Sequence, residues 1–283
     1  TDIGDYLTRE EKLANVAQAR AASGLHAVEL SPNEHGDWLN QRARDYGKFL
    51  ALGDRTGDSV FALVTGGVKT NRDAWCYGPT AAAVESRMRR LLSTYEEDRV
   101  RGTRTDDPTR ISWNRGLIAD HARGREHTYR PDAVVPACYR PFTRQMLYFD
   151  RGLNDMIYRM PAVFPPSLPQ NLGYYLPNPG SMAPPFMVLM TSRLIDNGAT
   201  GSSGANYLAR WAWAAVDDEG FDFGASAGST TEQPVVDGYR RVDNITDEAL
   251  RRWRAAYGAE WSKDDVFFYC YGLLHSPDYR ETY

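Results

Sequence analysis

Five consecutive polar residues, Lys69, Thr70, Asn71, Arg72 and Asp73, form the stretch of the sequence best equipped for molecular recognition. Four of these side chains carry hydrogen-bond donors and three carry acceptors. Such a set of donors and acceptors can read the edges of nucleic-acid bases. The alternative is that these residues are the solvated tip of a hairpin, since loops are usually polar for no further reason.

A second donor-rich stretch, Arg140–Gln145, lies between two apolar runs. Arg140, Arg144 and Gln145 carry side chains that can donate to base edges or to phosphates. For Arg140 a structural role is an equal alternative, in which its guanidinium pairs with a buried carboxylate. The sequence leaves both interpretations open.

The sequence lacks the motifs of the common catalytic and metal sites. Gly66–Thr70 has the wrong glycine spacing for a phosphate-binding loop, and Gly198–Gly204 fits neither the dinucleotide fingerprint nor the nucleophile elbow. No two of the five histidines are spaced i, i+4 as metal ligands on a helix. Asn178–Ser181 only superficially matches the Asn-Pro-Pro-Tyr signature of adenine methyltransferases. We therefore predict no catalytic residue and no metal site.

Composition limits the partners that the chain can bind. A formal net charge of −4 argues against a protein that coats nucleic acid by charge alone. No apolar run approaches the roughly 18–20 residues of a membrane span, and no signal peptide opens the sequence. The three cysteines, Cys76, Cys138 and Cys270, are far apart in apolar or aromatic runs and are expected to be buried thiols. These features favour a cytoplasmic protein that does not enter membranes.

The elements that position the two polar stretches are predicted to be strands flanked by helices. Phe61–Val64 and Trp75–Tyr77 indicate two strands joined through the first stretch, and Val134–Tyr139 and Met146–Phe149 bracket the second. Amphipathic patterns predict helices, with Thr8, Thr246 and Ser262 as caps. Proline- and glycine-rich chain over 160–185 predicts irregular structure with short strands and no long helix, and the acidic, glycine- and serine-rich stretch 217–238 predicts poor order. The fold class expected is α+β, with mixed sheets, flanking helices and long irregular loops. The predicted helices are 8–24, 38–50, 80–97, 247–257 and 264–276.

Several segments together resemble the C-terminal part of the type ISP restriction–modification enzymes. GVKTNRDAW (67–75) and the closing aromatic run into LHSPDYR (274–280) are the specific parts. YRPF (139–142) alone would be weak, and residues 195–240 follow the family pattern poorly. The resemblance otherwise spans almost the whole chain. These enzymes join a nuclease, a helicase-like translocase, an adenine-N6 methyltransferase and a target-recognition domain in one polypeptide.

The resemblance implies a target-recognition domain that binds double-stranded DNA. Residues 1–24 would be a helix leading out of an upstream methyltransferase domain, and 25–283 the recognition domain, truncated at its C-terminus. Lys69 and the arginines at 99–110 would touch phosphates. The domain would need no cofactor, whereas S-adenosylmethionine, ATP and Mg²⁺ would serve the rest of the polypeptide.

The resemblance also limits what the first stretch can be expected to do. Residues that mark a family whose members recognise different sites can hold the scaffold or grip the DNA backbone. The resemblance therefore favours a position of Lys69–Asp73 close to the DNA over direct reading of bases by these residues.

Two alternative functions remain open. One is a structural module that couples the methyltransferase to the translocase without reading bases, which the negative charge and aromatic richness suit. The other is an autonomous enzyme, which no motif supports.

Overall fold

The structure is a computed structural model that describes residues 8–22, 30–39, 41–42, 44–54, 57–168, 171–178, 186–201, 204–216 and 235–282. The chain divides into two compact units, Thr1–Phe49 and Leu50–Tyr283. Among the described residues no helix is both long and apolar enough to cross a membrane.

The first unit contains helix α1 (Arg9–Ala22) and a short 3₁₀ turn, Tyr46–Lys48. The predicted cap of α1 is confirmed, because the Glu11 amide donates to Thr8 Oγ1 and the Thr8 amide donates to Glu11 Oε2. The predicted helix over 38–50 is wrong in the part that the structure describes. Within this range the guanidinium of Arg42 instead binds the Asp37 carboxylate, and Tyr46–Lys48 form the 3₁₀ turn. The sequence of 26–39 also predicts a short strand followed by a turn, and that strand lies largely outside the described residues.

The second unit alternates short strands and helices, in the following chain order: β1 (Ala51–Gly53), β2 (Ser59–Phe61), β3 (Thr65–Gly66), α2 (Asp73–Cys76), β4 (Tyr77–Gly78), α3 (Ala81–Arg101), α4 (Arg115–Ala122), β5 (Val134–Arg140), β6 (Thr143–Tyr148), α5 (Met160–Val163), β7 (Gly173–Pro177), β8 (Leu189–Thr191), β9 (Leu194–Ile195), β10 (Ala205–Ala209), β11 (Trp211–Ala215), β12 (Val235–Val236), β13 (Tyr239–Asp243), α6 (Asp247–Tyr257), α7 (Lys263–Leu273) and α8 (Pro277–Thr282).

The described strands form four small sheets. Two of them have four strands, in the orders β3-β10-β7-β8 and β4-β6-β5-β9, and the second is mixed because β9 runs parallel to β5. The other two are the parallel pair β1-β2 and the antiparallel β11-β13-β12. With helices flanking mixed sheets, the chain has the α+β fold expected from the sequence.

The structure confirms the helix caps predicted at Thr246 and Ser262 and shows a further cap at Thr80. Thr80, Thr246 and Ser262 each accept a hydrogen bond from an amide in the first turn of α3, α6 and α7, respectively. The apolar stripe of α3 is buried, as predicted, against the sheet of β4 and β6. All three cysteines are buried free thiols.

The hairpin predicted over 61–77 is wrong. β3 pairs with β10 in one four-stranded sheet, whereas β4 pairs with β6 in the other. The chain between β3 and β4 therefore crosses from sheet to sheet. Of the strand predicted over Trp75–Tyr77, Trp75 and Cys76 belong to the single-turn helix α2, and Tyr77 begins β4. The second predicted hairpin is confirmed as β5 and β6, with Pro141 and Phe142 at its tip.

Candidate functional site

The two polar stretches singled out by the sequence meet in space, although they belong to different elements. Tyr139 Oη donates to Asp73 Oδ2 at 3.1 Å, and Arg140 Nη2 lies 3.6 Å from the same oxygen. Arg140 Nη1 also donates to Asp196 Oδ1 at 2.5 Å. These contacts join the end of β5, the start of α2 and the residue after β9 into one polar cluster.

A cavity of about 350 Å³ opens beside this cluster. Its wall combines donor side chains with two carboxylates and with backbone from a glycine-rich turn. The lining residues are Val68, Lys69, Thr70, Asn71, Arg72, Asp73, Arg140, Asp196, Asn197, Gly198 and Gly201. Thus all five residues of the first predicted stretch, and Arg140 of the second, face one space.

Backbone hydrogen bonds hold the start of the first stretch in place. The Lys69 amide donates to the Met156 carbonyl at 2.8 Å, and the Met156 amide donates back to the Lys69 carbonyl at 2.9 Å. Val68 is clamped in the same way between Ile195 and Asn197. Lys69 therefore enters the cavity from a rigid backbone and not from a free hairpin tip.

Thr70 and Asp73 have structural partners within the stretch. The Thr70 hydroxyl is fully buried, donates to Asp73 Oδ1 and accepts from the Arg72 amide. Asp73 also accepts from Tyr139, so both of its carboxylate oxygens are engaged. Their hydrogen bonds shape the turn into α2, and neither side chain is left free to read a base in this conformation.

Asn71 is the exposed residue of the stretch. It adopts a left-handed backbone conformation with φ of 51°. Asparagine tolerates this conformation better than most residues do. The turn therefore presents an amide side chain, with both donor and acceptor groups, at the mouth of the cavity.

Arg72 follows Asn71 and turns inward. Only 4% of the residue is exposed, and none of its three guanidinium nitrogens has a hydrogen-bond partner. Burial lowers the pKa of this guanidinium. In this conformation Arg72 presents no donor at the surface of the chain.

Arg140 pairs with a buried carboxylate, which is the structural alternative that the sequence left open. Its guanidinium stacks 4.0 Å from the Tyr139 ring centroid and binds Asp196, whose side chain is 5% exposed. Burial, together with the nearby Asp73 charge, raises the pKa of Asp196 to about 6, although Arg140 opposes that shift. A direct contact from Arg140 to a ligand would have to compete with this ion pair.

Arg144 and Gln145 lie on β6, outside the lining of the cavity. They pair with Cys138 and Ala137 of β5. Because they are consecutive residues of one strand, their side chains project to opposite faces of the sheet. Arg144 is exposed and Gln145 half-buried.

Near Arg144 and Gln145 the structure reveals a residue that the sequence reasoning did not single out. Phe142, at the hairpin tip, is 88% exposed with φ of 61°, an unusual conformation for an aromatic residue.

The arginines expected to touch phosphates are largely engaged within the chain. Arg99 pairs with Glu96 at 2.5 Å, Arg101 with Asp98 at 2.6 Å and Arg110 with Glu97 at 2.7 Å. Arg104 lies over the Trp113 ring. Contacts from these arginines to a nucleic acid would therefore exchange one partner for another.

Among the residues that the structure describes, no group of three or more His, Cys, Asp or Glu side chains could hold a metal ion. Burial raises the pKa of the Cys76 and Cys270 thiols to about 12, which keeps both protonated at neutral pH. The described cavity offers donors and acceptors for binding, with no activated nucleophile.

Three solved structures are similar to this chain over almost its entire length. A DrdV–DNA complex is 26% identical with a TM-score of 0.73, and it matches 97% of this chain. A nuclease-deletion mutant of the Type ISP restriction–modification enzyme LlaGI, in complex with a DNA substrate mimic, is 28% identical with a TM-score of 0.72. The ATP-dependent Type ISP restriction–modification enzyme LlaBIII bound to DNA is 28% identical with a TM-score of 0.75. Both of these match 100% of this chain.

The chain spans 26%, 24% and 18% of the DrdV, LlaGI and LlaBIII chains, respectively. A comparison with curated proteins gave no significant match. The family model described as the Type ISP C-terminal specificity domain matches residues 59–283, which include both polar stretches and every element from β2 onward. This chain therefore belongs to the Type ISP C-terminal specificity domain family.

Proposed function

We propose that this chain recognises a specific sequence in double-stranded DNA and gives target specificity to a larger restriction–modification polypeptide. The family assignment and the three similar structures, all of them DNA complexes, support this proposal. The structural observation that carries it is the joining of the two donor-rich stretches around one open cavity.

The arrangement assigns different roles to the residues of the two stretches. Asn71 is exposed at the end of a fixed turn, and an amide side chain suits bidentate recognition of adenine. Arg144 is exposed on β6 and suits guanine or a phosphate. Lys69 is a compact point charge that suits a phosphate oxygen. Thr70, Asp73, Arg140 and Gln145 would support these groups, and the negative net charge would limit non-specific binding.

The remaining activities of the polypeptide are part of the same proposal. An adjoining methyltransferase would use S-adenosylmethionine on the target adenine, and a translocase and nuclease would use ATP and Mg²⁺. A target adenine would have to leave the duplex to reach a methyltransferase pocket. The specificity domain would contribute the binding energy that selects where this happens.

Selection from a randomised duplex library, repeated across a salt series, tests the proposal. We expect the 283-residue chain to enrich one short sequence and to show a shallow dependence of affinity on salt, because few phosphates are neutralised. Parallel selection with the complete polypeptide should enrich the same sequence. Absence of enrichment by the chain at every salt concentration, while the complete polypeptide stays selective, would contradict the proposal.

A coupling module that packs on neighbouring domains is the second candidate. The exposed apolar side chains Phe268 and Leu273 on α7, which are 50% and 47% exposed, suit a protein interface. Replacing both by serine should then uncouple ATP hydrolysis from DNA recognition in the complete polypeptide. If the chain acts in DNA recognition and not in coupling, the same double variant should keep ATP hydrolysis coupled to DNA recognition.

A further inference from the structure

Arg72 is a buried cation without a hydrogen-bond partner, whereas a second deeply buried arginine among the described residues, Arg210, is well paired. Arg210 is 5% exposed, and its guanidinium donates to Asp243 and to Asp264, each at 2.5 Å. Arg72 is 4% exposed, and its Nε, Nη1 and Nη2 have no hydrogen-bond partner. Removing a guanidinium from water without compensating hydrogen bonds is strongly unfavourable. In this structure Arg72 is therefore in an energetically unfavourable position.

The acidic groups nearest to Arg72 are occupied by other residues. Asp73 binds Thr70 and Tyr139, and Asp155 accepts two hydrogen bonds from Arg115, at 2.9 and 3.2 Å. The neighbouring Cys76 thiol is neutral, because burial raises its pKa to about 12. The Asp155 charge attracts the Arg72 guanidinium through space, but no carboxylate among the described residues forms a hydrogen bond with it.

Space for a ligand lies on both sides of Arg72. It lines the cavity of about 350 Å³ shared with Lys69 and Asn71, and also a cavity of about 400 Å³ lined by Trp75 and Trp113. Its backbone is fixed, since its carbonyl accepts from the amides of Trp75 and Cys76. Movement of the guanidinium into either space would therefore come from rotation of the side chain and not from the backbone.

We propose that Arg72 is held unpaired in the free chain and turns into the cavity beside Lys69 and Asn71 when a hydrogen-bond-accepting oxygen of bound DNA enters it. This inference rests on the proposed DNA recognition. The cavity beside Lys69 is preferred over the one beside Trp75, because two further cations, Lys69 and Arg140, and the exposed amide of Asn71 line it. Its ligand is an oxygen that accepts from the guanidinium fork, supplied either by a phosphate or by a guanine edge.

The proposal predicts opposite behaviour for stability and for binding. Arg72→Met removes three unsatisfied donors while it keeps an unbranched side chain, so the melting temperature should stay unchanged or rise. Binding of the selected duplex should weaken roughly tenfold, as expected for one lost charge-assisted contact. Arg210→Met is the matched control, because it removes an equally buried guanidinium that is paired with two carboxylates and leaves both carboxylates without their cation. It should lower the melting temperature by at least about 4 °C.

The source of the oxygen is identified by modified duplexes. If a phosphate is the ligand, replacing that one phosphate by a neutral methylphosphonate should make the unaltered chain and Arg72→Met bind the duplex equally well. Arg72→Lys should then restore much of the affinity for the unmodified duplex. If a guanine edge is the ligand, replacing that guanine by 2-aminopurine, which lacks the O6 oxygen, should abolish the effect of Arg72→Met instead. Lysine should then restore little of the affinity, because a point charge cannot replace the guanidinium fork.

Two results with Arg72→Met would overturn the inference alone: a melting temperature that falls as it does for Arg210→Met, or undiminished affinity of a stable variant for the duplex that the unaltered chain selects. A chain that selects no duplex in the first place would overturn both the inference and the proposed function.

Discussion

The guanidinium of Arg140 lies 2.5 Å from the carboxylate of Asp196, which follows β9 and is 56 positions away along the chain. This ion pair ties the end of β5 to the turn that lines the cavity. Because Asp73 and Tyr139 share the same cluster, the pair also fixes the relative position of the two donor-rich stretches. Recognition by either stretch depends on this internal contact.

Removing one partner of the pair should destabilise the chain more than removing both. Arg140→Met leaves Asp196 buried without its cation, and we expect the free energy of unfolding to fall by about 1–3 kcal/mol, since Arg140 itself is partly exposed. Arg140→Met combined with Asp196→Asn should recover a substantial part of that loss. Urea unfolding of Arg140→Met, Asp196→Asn and the double variant measures the free energy of unfolding of each. A double variant whose loss equals the sum of the two single losses would show that the pair contributes no coupling.

The Asp196 carboxyl should make stability depend on pH in a defined window. Its pKa in the folded chain is raised to about 6 from an ordinary value of 3.8, so the folded state retains a proton that the unfolded state has lost between these values. The contribution of Asp196 to stability is therefore fully present below about pH 4 and is lost as pH rises through about 6.

Asp196→Asn isolates this effect, because asparagine stays neutral throughout. The stability of the variant relative to the unaltered chain should increase between about pH 4 and pH 6 and then level off. Chemical denaturation at half-unit steps of pH measures this difference. A difference that stays constant across the window, or that decreases, would contradict the raised pKa.

Gly67 should be essential for the geometry of the cavity, because a side chain there has no room. A Cβ atom at this position would lie 2.7 Å from the backbone of Asp196 and Asn197, which cannot yield as a flexible side chain would. Gly67→Ala should reduce the free energy of unfolding by about 2 kcal/mol or more and should displace Lys69. Differential scanning calorimetry and DNA affinity report the two effects.

Gly116→Ala provides the matched control for that substitution. Gly116 lies in α4, and its added Cβ would meet only Asn114 Oδ1 at an ordinary 3.6 Å. Alanine should stabilise this position by about 0.5–1 kcal/mol, because it lowers the entropy of the unfolded chain. Equal losses at both positions would argue that the tight approach at Gly67 is unimportant.

The sequence predicted those elements whose signals are local. Thr80, Thr246 and Ser262 cap helices by contacts within one turn, and the β5–β6 hairpin joins neighbours along the chain. Sequence alone could not reveal that β3 and β4 belong to different sheets, because their partners β10 and β6 lie far along the chain. Alternating apolar residues favour a strand but do not specify which strand it pairs with.

Residue types and the resemblance predict which residues belong to the candidate site, but they do not distinguish its exposed members from its buried ones. Asn71 and Arg72 are adjacent and equally polar, but the left-handed turn at Asn71 exposes one and buries the other. The pairing of Arg140 with Asp196 likewise depends on β9 lying beside β5. Base reading by the two stretches remains a prediction.

The central claim is that Asn71, the exposed residue of the first stretch, contributes sequence selectivity. Parallel selection from a duplex library by the unaltered chain and by Asn71→Ala tests it most directly. We predict that the unaltered chain enriches one short sequence, and that Asn71→Ala enriches the same sequence with preference relaxed at a single base pair, at a cost of about 1–3 kcal/mol there. A uniform loss at all positions would instead assign Asn71 to the DNA backbone, and unchanged selectivity would contradict the claim.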